Sequence, residues 1–379
     1  MRDRVIEFLC ELIAIDSVNP SLVRGAAGER EIADAVAAEM RRIGMDVEID
    51  EVTAGRPNVV GVLEGRNPGR SLMMCGHLDT VGVERMSDPF KPVERNGRLY
   101  GRGSGDMKGG LAAMIEAARS IVESGGPKAG RLIVAAVVDE EYASIGAEAL
   151  VRTWQANAAV VAEPTDLQVA IGHKGFSWLE VIVAGRAAHG SRPLEGRDAI
   201  IGMGRVLGRL EALDQSLQSR QPHPVLGTAS LHASLIEGGR ELSTYPDRCV
   251  LQLERRTVTG ETGANALTEV VEILSSLRKQ DVEFDGEVKL TFSRPPYETP
   301  ADSDLPELLE KAMSSMGIPT QRSGMSYWTD AAILGEAGIP TVIFGPGGAG
   351  YHGLEEYVQV EEVIACRRAL ADLAGRFCA

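Results

Sequence analysis

The sequence predicts an α/β protein in which a mainly parallel sheet is interrupted by a smaller α+β insertion. Three observations carry this. Apolar strand-like runs at 57–63, 71–75, 132–139 and 158–163 alternate with segments of helical apolar spacing, the pattern of a layered α/β domain. Between 177 and 293 the order becomes β-α-β-β-α-β, the signature of a ferredoxin-like layer. After the Pro-rich stretch SRPPYETP (293–300), which reads as a linker, helix and strand alternate again.

Residues 2–15 and 29–44 have apolar residues at helical spacing. The strands at 57–63 and 71–75 lead to the glycine cluster GRGSGDMKGG and a helix at about 107–124. LIVAAVVD (132–139) and AAVVAE, ending at Glu163, read as buried strands. The insertion begins with SWLEVIVAG (177–185), followed by a helix around 194–213 and strands near 228–236 and 248–254. A helix near 263–279 and a strand near 286–293 complete it. The expected division is therefore 1–175 with 294–379, and an inserted 176–293. With 379 residues, two domains are the natural expectation.

Apolar residues make up 44% and charged residues 25%, as in globular proteins. A formal charge of −15 argues against a nucleic-acid partner, which needs concentrated Lys and Arg. The five cysteines are scattered and form no CxxC pair, which points to a reducing compartment and a cytoplasmic protein. Glu7 and Glu11 interrupt the apolar start, making it an amphipathic helix rather than a signal-peptide core or membrane span.

Five runs carry candidate chemistry. In LMMCGHLDTV, His77 and Asp79 follow an apolar strand, at the end where ligands gather in open α/β sheets. Two apart in an extended segment they point the same way, so the carboxylate can accept the second imidazole N–H and set the tautomer for a metal. The pair alone fits equally a surface histidine beside a capping Asp. Asp106 lies in the glycine cluster, whose spacing fits neither GxGxxG nor GxxxxGK[ST]. Asp139, Glu140 and Glu141 close the most apolar strand, where three adjacent carboxylates need cations nearby to stay ionised. Glu163 closes another strand, and His352 follows a fourth in FGPGGAGYHGLEEYV. That run contains Gly345-x-Gly347-x-x-Gly350, but a dinucleotide fingerprint belongs between the first strand and helix of a βαβ unit. Two histidines and three carboxylates at strand ends suit two divalent ions sharing a carboxylate, with one further acid left as a base.

With GHLDTV, GRGSGDMKGG, DEE, AEPT, GRAAHGSRP, TDAA and GPGGAGYHGLEEYV in this order from 76 to 358, the chain resembles the acetylornithine deacetylase / succinyl-diaminopimelate desuccinylase / aminoacylase / glutamate carboxypeptidase family of dinuclear zinc metallohydrolases. The resemblance implies a zinc-peptidase-like catalytic domain and two Zn2+ per subunit, with Co2+ or Mn2+ as substitutes. Asp106 would bridge the ions, His77 and Glu163 completing one site and Glu141 and His352 the other. Asp79 would orient His77, and Glu140 would take a proton from the attacking water and deliver it to the leaving amine. The peptide bond after Asp106 is cis in relatives. His189 would reach across a homodimer, formed through the inserted lid domain by sheet edges or helices, to stabilise the oxyanion. Arg256 would hold the substrate carboxylate, and Thr329 with Asp330 would lie near the substrate. A surface arginine and a helix N-cap remain the plain alternatives for Arg256 and Thr329.

Three departures from the family pattern stand out: Ser243 where many relatives have Asn, Tyr327 and Trp328 where smaller residues precede Thr329, and Ala162 in place of a frequent Gly. The expected function is metal-dependent cleavage of the amide bond in a small N-acyl-L-amino acid. The alternative within the same chemistry is a metallo-carboxypeptidase or dipeptidase acting on dipeptide-like substrates. A binding protein on the same fold is disfavoured because all five ligands and Glu140 are present.

Overall fold

A computed structural model of the chain describes residues 2–379. It forms two compact units: the first contains residues up to Ile171 with Thr299–Ser323 and Thr329–Ala379, the second Gly172–Glu298 with Gly324–Trp328. Among the described residues, no helix is long and apolar enough to cross a membrane.

The first unit opens on α1 (Arg4–Ile13), whose start is capped by the Asp3 carboxylate accepting the Val5 N–H at 3.1 Å. Helix α2 (Arg30–Ile43) ends at Gly44, whose φ of 94° suits a residue without a Cβ. Strands β1 (Asp46–Thr53), β2 (Arg56–Glu64) and β3 (Asn67–His77) follow, then the short β4 (Val93–Arg95) and β5 (Arg98–Tyr100). Helix α3 (Gly109–Glu123), β6 (Ala129–Val137), α4 (Ile145–Thr153), β7 (Ala158–Val161) and β8 (Val169–His173) complete its first stretch.

The second unit contains β9 (Gly175–Ala184), α5 (Ala199–Ser219), β10 (Ser230–Gly238), β11 (Arg248–Thr257), α6 (Gly263–Gln280), β12 (Asp285–Arg294) and β13 (Tyr297–Glu298). Its four-stranded antiparallel sheet runs β10-β11-β9-β12, the order of a ferredoxin-like layer. Apolar faces of α5 and α6 close its core with Leu179, Val181, Val183 and Leu251. Helix α5 begins at 199, later than the spacing suggests, because residues before it run in turns and the Asp198 carboxylate caps it by accepting the Ile201 N–H at 2.9 Å.

The remainder of the chain forms α7 (Leu305–Ser315), β14 (Arg322–Met325), α8 (Ala331–Glu336), β15 (Thr341–Ile343), β16 (Gly348–Ala349), β17 (Tyr357–Gln359) and α9 (Val360–Phe377). In the first unit the sheet runs β1-β2-β6-β3-β7-β15-β8. Its four central strands, β6, β3, β7 and β15, are parallel, and antiparallel strands flank them. Strand β6 is buried on both faces, as its unbroken apolar run requires. Strand β1 is an exposed edge carrying Asp46, Glu48, Asp50 and Glu51, and that charge hides it from an apolar-pattern reading. Helix α3 is buried nearly all round and packs on α1 and α9.

The parallel strands end level: His77 stands opposite Val137, Cys75 opposite Val161, and Ile343 opposite Val161. The segments carrying His77, Asp139–Glu141, Glu163 and the run toward His352 therefore all leave one edge of the sheet.

Candidate metal centre

His77 is the last residue of β3, and its imidazole is buried. Its Nδ1 lies 2.9 Å from the backbone carbonyl oxygen of Asp79 and 3.7 Å from the Asp79 carboxylate. The hydrogen bond that sets the tautomer thus goes to the main chain, correcting the expectation that the carboxylate would do this. Burial explains the change: the Asp79 carboxylate is engaged by the backbone N–H groups of Glu140 and Glu141, each at 3.2 Å, and by Asn19 Nδ2 at 2.8 Å. Asp79 thereby orients His77 through one group and fixes the acidic turn through another.

With Nδ1 turned to that carbonyl, Nε2 of His77 is the nitrogen left for a cation or a proton, and it faces Asp106 Oδ1 at 3.1 Å and Glu163 Oε1 at 3.4 Å. Nε2 of His352 faces the other oxygen of Asp106 at 3.3 Å and Glu141 Oε2 at 3.1 Å. Two three-donor groups result, His77–Asp106–Glu163 and Asp106–Glu141–His352, sharing Asp106. Glu140 belongs to neither.

The Asp106 loop is shaped from outside. One Glu356 oxygen accepts Arg102 Nη1 at 2.7 Å and the Gly103 N–H at 3.0 Å, and the other accepts the N–H groups of Gly105 and Asp106 at 3.0 and 3.1 Å. The Asp106–Met107 peptide bond is cis. Lys108, buried just beyond, donates to the carbonyls of Leu12 and Ile15 at the end of α1. Gly110 lets α3 start against the Glu163 segment, since a Cβ there would stand 1.8 Å from the Ala162 carbonyl oxygen. Ala162 itself is accommodated, buried beside this helix start. Gly350 turns the chain before His352 at a φ of 79°, and a Cβ would stand 1.8 Å from the Glu355 carbonyl oxygen.

Burial opposes charge on every carboxylate here. It raises Glu141 to about 7, with the Asp106 charge adding to the effect. Burial and the facing carboxylates push Glu140 and Glu163 well above the usual range. Asp106 is the exception: burial works against its ionised form, but hydrogen bonds from His352 and His77 outweigh it and hold the group low. His77 is raised despite burial because Glu163 and Asp106 face it. His352, half-exposed, is raised to about 10 by its bonds to Asp106 and Glu141.

Divalent cations fit these residues. Imidazole nitrogen with carboxylate oxygen is a donor set for zinc, cobalt or manganese. The histidine-to-carboxylate separations, 3.1 and 3.4 Å in one group and 3.3 and 3.1 Å in the other, are close to the roughly 3.4 Å between ligand atoms that share one four-coordinate ion. Glu141 Oε1 is buried with no hydrogen-bond partner among the described residues, as a second ligand oxygen would be. Without cations, protons on the histidines take their place.

A proton balance follows. A histidine raised to about 10 in the folded state stabilises the metal-free protein fully below its ordinary pKa of about 6.5 and loses that contribution as pH rises through about 10. Metal binding at pH 7 must displace this proton. Calorimetry in buffers of different ionisation enthalpy should show at least one proton released per protein, and affinity should rise about tenfold per pH unit for each proton displaced. Zero release at pH 7 would contradict the His352 assignment.

Asp330 faces the same cluster: after burial and the nearer charges, its carboxylate helps push Glu140 and Glu163 up. The remaining expected residues fall elsewhere. Thr329 is fully buried and its hydroxyl accepts the Ala331 N–H at 3.2 Å, one residue ahead of Asp330, the N-cap of α8. His189, Ser243 and Arg256 are in the second unit. His189 is exposed, with Nδ1 bonded to Ser191 Oγ at 2.8 Å. Ser243 is exposed beside it, its carbonyl accepting the Gly190 N–H at 2.7 Å. The Arg256 guanidinium is paired with Glu254 at 2.7 Å and lies over the Phe176 ring. Trp328, in the second unit, bonds the Pro295 carbonyl at 3.1 Å. Sequence reasoning assigned no role to Glu356, Asn19 or Arg56; only Glu356 lies in a quoted run, and nothing in its spacing marks it.

A model of peptidase family M20/M25/M40 matches residues 73–376. Acetylornithine deacetylase from Photorhabdus laumondii is 29% identical over 387 residues, covering 98% of this chain and 97% of the relative. Acetylornithine deacetylase from Myxococcus xanthus is 30% identical over 384 residues, covering 98% and 96%. The crystal structure of a tripeptidase from Staphylococcus aureus superposes with a TM-score of 0.82 at 21% identity, covering 99% of this chain and 98% of that one, a likeness of fold. The family match runs through all five donor residues and both arms of the first unit, and the chain belongs to peptidase family M20/M25/M40.

Proposed function

We propose that the protein is a dinuclear metal-dependent amidohydrolase that removes the acyl group from a small N-acyl-L-amino acid. The observation that carries this is a pair of three-donor groups sharing Asp106, with the half-buried Glu140 outside both, in a chain similar along its length to acetylornithine deacetylases. Bound cations, zinc in our reading, would lower the pKa of the attacking water and polarise the scissile carbonyl.

The chain's own residues do the rest. Glu140 takes a proton from the attacking water and passes it to the leaving nitrogen; burial, and then Glu163, raise its proton affinity toward that task. Asp79 keeps Glu140 and Glu141 in place by holding their N–H groups. In this reading the enzyme is a cytoplasmic homodimer, His189 from one subunit donates to the oxyanion of the other, and Arg256, freed from Glu254, receives the substrate carboxylate with Ser243 nearby. Fractionation and light scattering test location and assembly.

The deciding assay is a panel of N-acetyl, N-succinyl and N-formyl amino acids and of dipeptides, each with zinc, cobalt or manganese. An N-acyl amino acid should show the highest kcat/KM. A preference for dipeptides would assign the peptidase alternative. No cleavage by protein holding two ions would sink the amidohydrolase reading.

A further inference from the structure

We propose that Arg56, which no catalytic or ligand role reaches, is a positioning residue for the Asp139–Glu141 turn, and through it for the cation held by Asp106, Glu141 and His352. The inference rests on the metal-site reading above.

Arg56 opens β2, the strand next to β6 in the sheet, and is only 8% exposed. An arginine buried this far needs partners for its donors, and each of its nitrogens has one. Nε and Nη2 grip the Glu29 carboxylate, at 2.9 and 2.5 Å. Nη1 donates to Ser21 Oγ at 2.8 Å and Nη2 to Asn19 Oδ1 at 3.1 Å. Nη2 also stands 2.8 Å from Asp139 Oδ1. Three of these partners converge on the turn. Asn19 Nδ2 bridges Asp79 and Asp139, at 2.8 and 3.1 Å, and Ser21 Oγ reaches Asp139 at 3.1 Å.

Asp139 is where the chain leaves β6, at a φ of 69°, a left-handed conformation that an aspartate tolerates when its surroundings hold it. Its carbonyl accepts the N–H groups of Tyr142, Ala143 and Ser144, and its second carboxylate oxygen accepts Ala143 N–H. The Glu140–Glu141 backbone is thus held by two buried carboxylates, Asp79 in front and Asp139 behind. Among the described residues, Arg56 is the guanidinium bonded into this network. Without it Asp139 and Glu29 would be buried charges lacking their cation, and the left-handed turn would lose the contact that fixes it. Lysine keeps the charge but cannot fork between Glu29 and Asp139.

The test uses the full-length protein and zinc itself. In Arg56→Met, chelator competition should show the Glu141–His352 ion bound about 10–100-fold more weakly, the usual cost of losing a group behind a ligand. The ion held by His77 and Glu163 should bind as in the wild type. On whichever substrate the panel identifies, kcat per folded molecule should fall about 10²-fold with KM unchanged, since the displaced groups act on the reacting bond rather than on substrate binding. Arg56→Lys should fold and show the same pattern in weaker form, and it decides the matter if Arg56→Met does not fold. Arg119→Met, which breaks an ion pair with Glu39 on α2 and another with Glu116 on its own helix, serves as the comparison: it should lower Tm without moving either metal affinity or kcat. The proposal is overturned if the Arg56 variants behave like Arg119→Met, less stable yet with wild-type zinc affinities and kcat. Wild-type protein that binds fewer than two ions would overturn the metal reading, and this proposal with it.

Discussion

Replacing Asp106 by Ala should remove the ability to hold two ions at once and with it amide hydrolysis. One oxygen of this carboxylate faces His77 and the other faces His352, so a single substitution takes a donor from both groups. The loop should survive, because Glu356 grips it through the backbone N–H groups of Gly103, Gly105 and Asp106, which the substitution leaves in place. Lewis-acid activation is worth several kcal/mol, and each 1.36 kcal/mol is tenfold, so kcat should drop by about 10³ or more. Metal analysis by mass spectrometry alongside single-turnover rates checks this. A variant that retains two ions and turns over within tenfold of the wild type would remove Asp106 from the centre of the site.

Glu140→Gln should give the opposite pairing of results, with both ions retained and turnover lost. Glu140 stands outside both donor groups, and its backbone N–H is held by Asp79 whatever its side chain carries. An amide of the same shape cannot accept a proton, so kcat should fall by roughly 10²–10⁴, the contribution of a positioned base. Full metal occupancy with undiminished kcat would assign the base elsewhere. The same variant tests whether His189 acts across a dimer. Mixed with His189→Ala chains, it should form heterodimers with one intact site and recover up to half the wild-type activity per dimer. If mixed dimers form and no activity returns, His189 does not act in trans.

Much of this arrangement is legible in the chain because the chemistry follows strong local signals. His77 follows LMMCG, Glu141 closes LIVAAVVDEE and Glu163 closes AAVVAE, and a buried parallel strand delivers whatever comes after it to the sheet's carboxyl edge. The supporting shell is not legible for the converse reason. Arg56 meets Glu29 and Asp139, Asn19 meets Asp79, and Glu356 meets the loop at Gly103–Asp106; no spacing rule links partners so far apart in sequence. Asp79 shows the limit within a motif: two-residue spacing brings it to His77, but spacing does not say whether the carbonyl or the carboxylate makes the bond. Strand β1 escapes pattern reading because an exposed edge carries charge rather than alternation.

The strand order of the first unit has a consequence for how the chain is made. Strand β15 lies between β7 and β8, although the whole second unit is translated after β7 and before it. His77, Asp106 and Glu163 are present once the ribosome passes β7, but His352 emerges roughly 190 residues later, on the order of ten to forty seconds at ordinary elongation rates. Through that interval β7 has an open edge, a template for wrong pairing, while the second unit already has its core residues in hand. We expect stalled nascent chains ending before residue 341 to be cut readily by protease within residues 2–171 and to resist it within 175–294. Equal resistance in both would mean that the sheet closes without its late central strand.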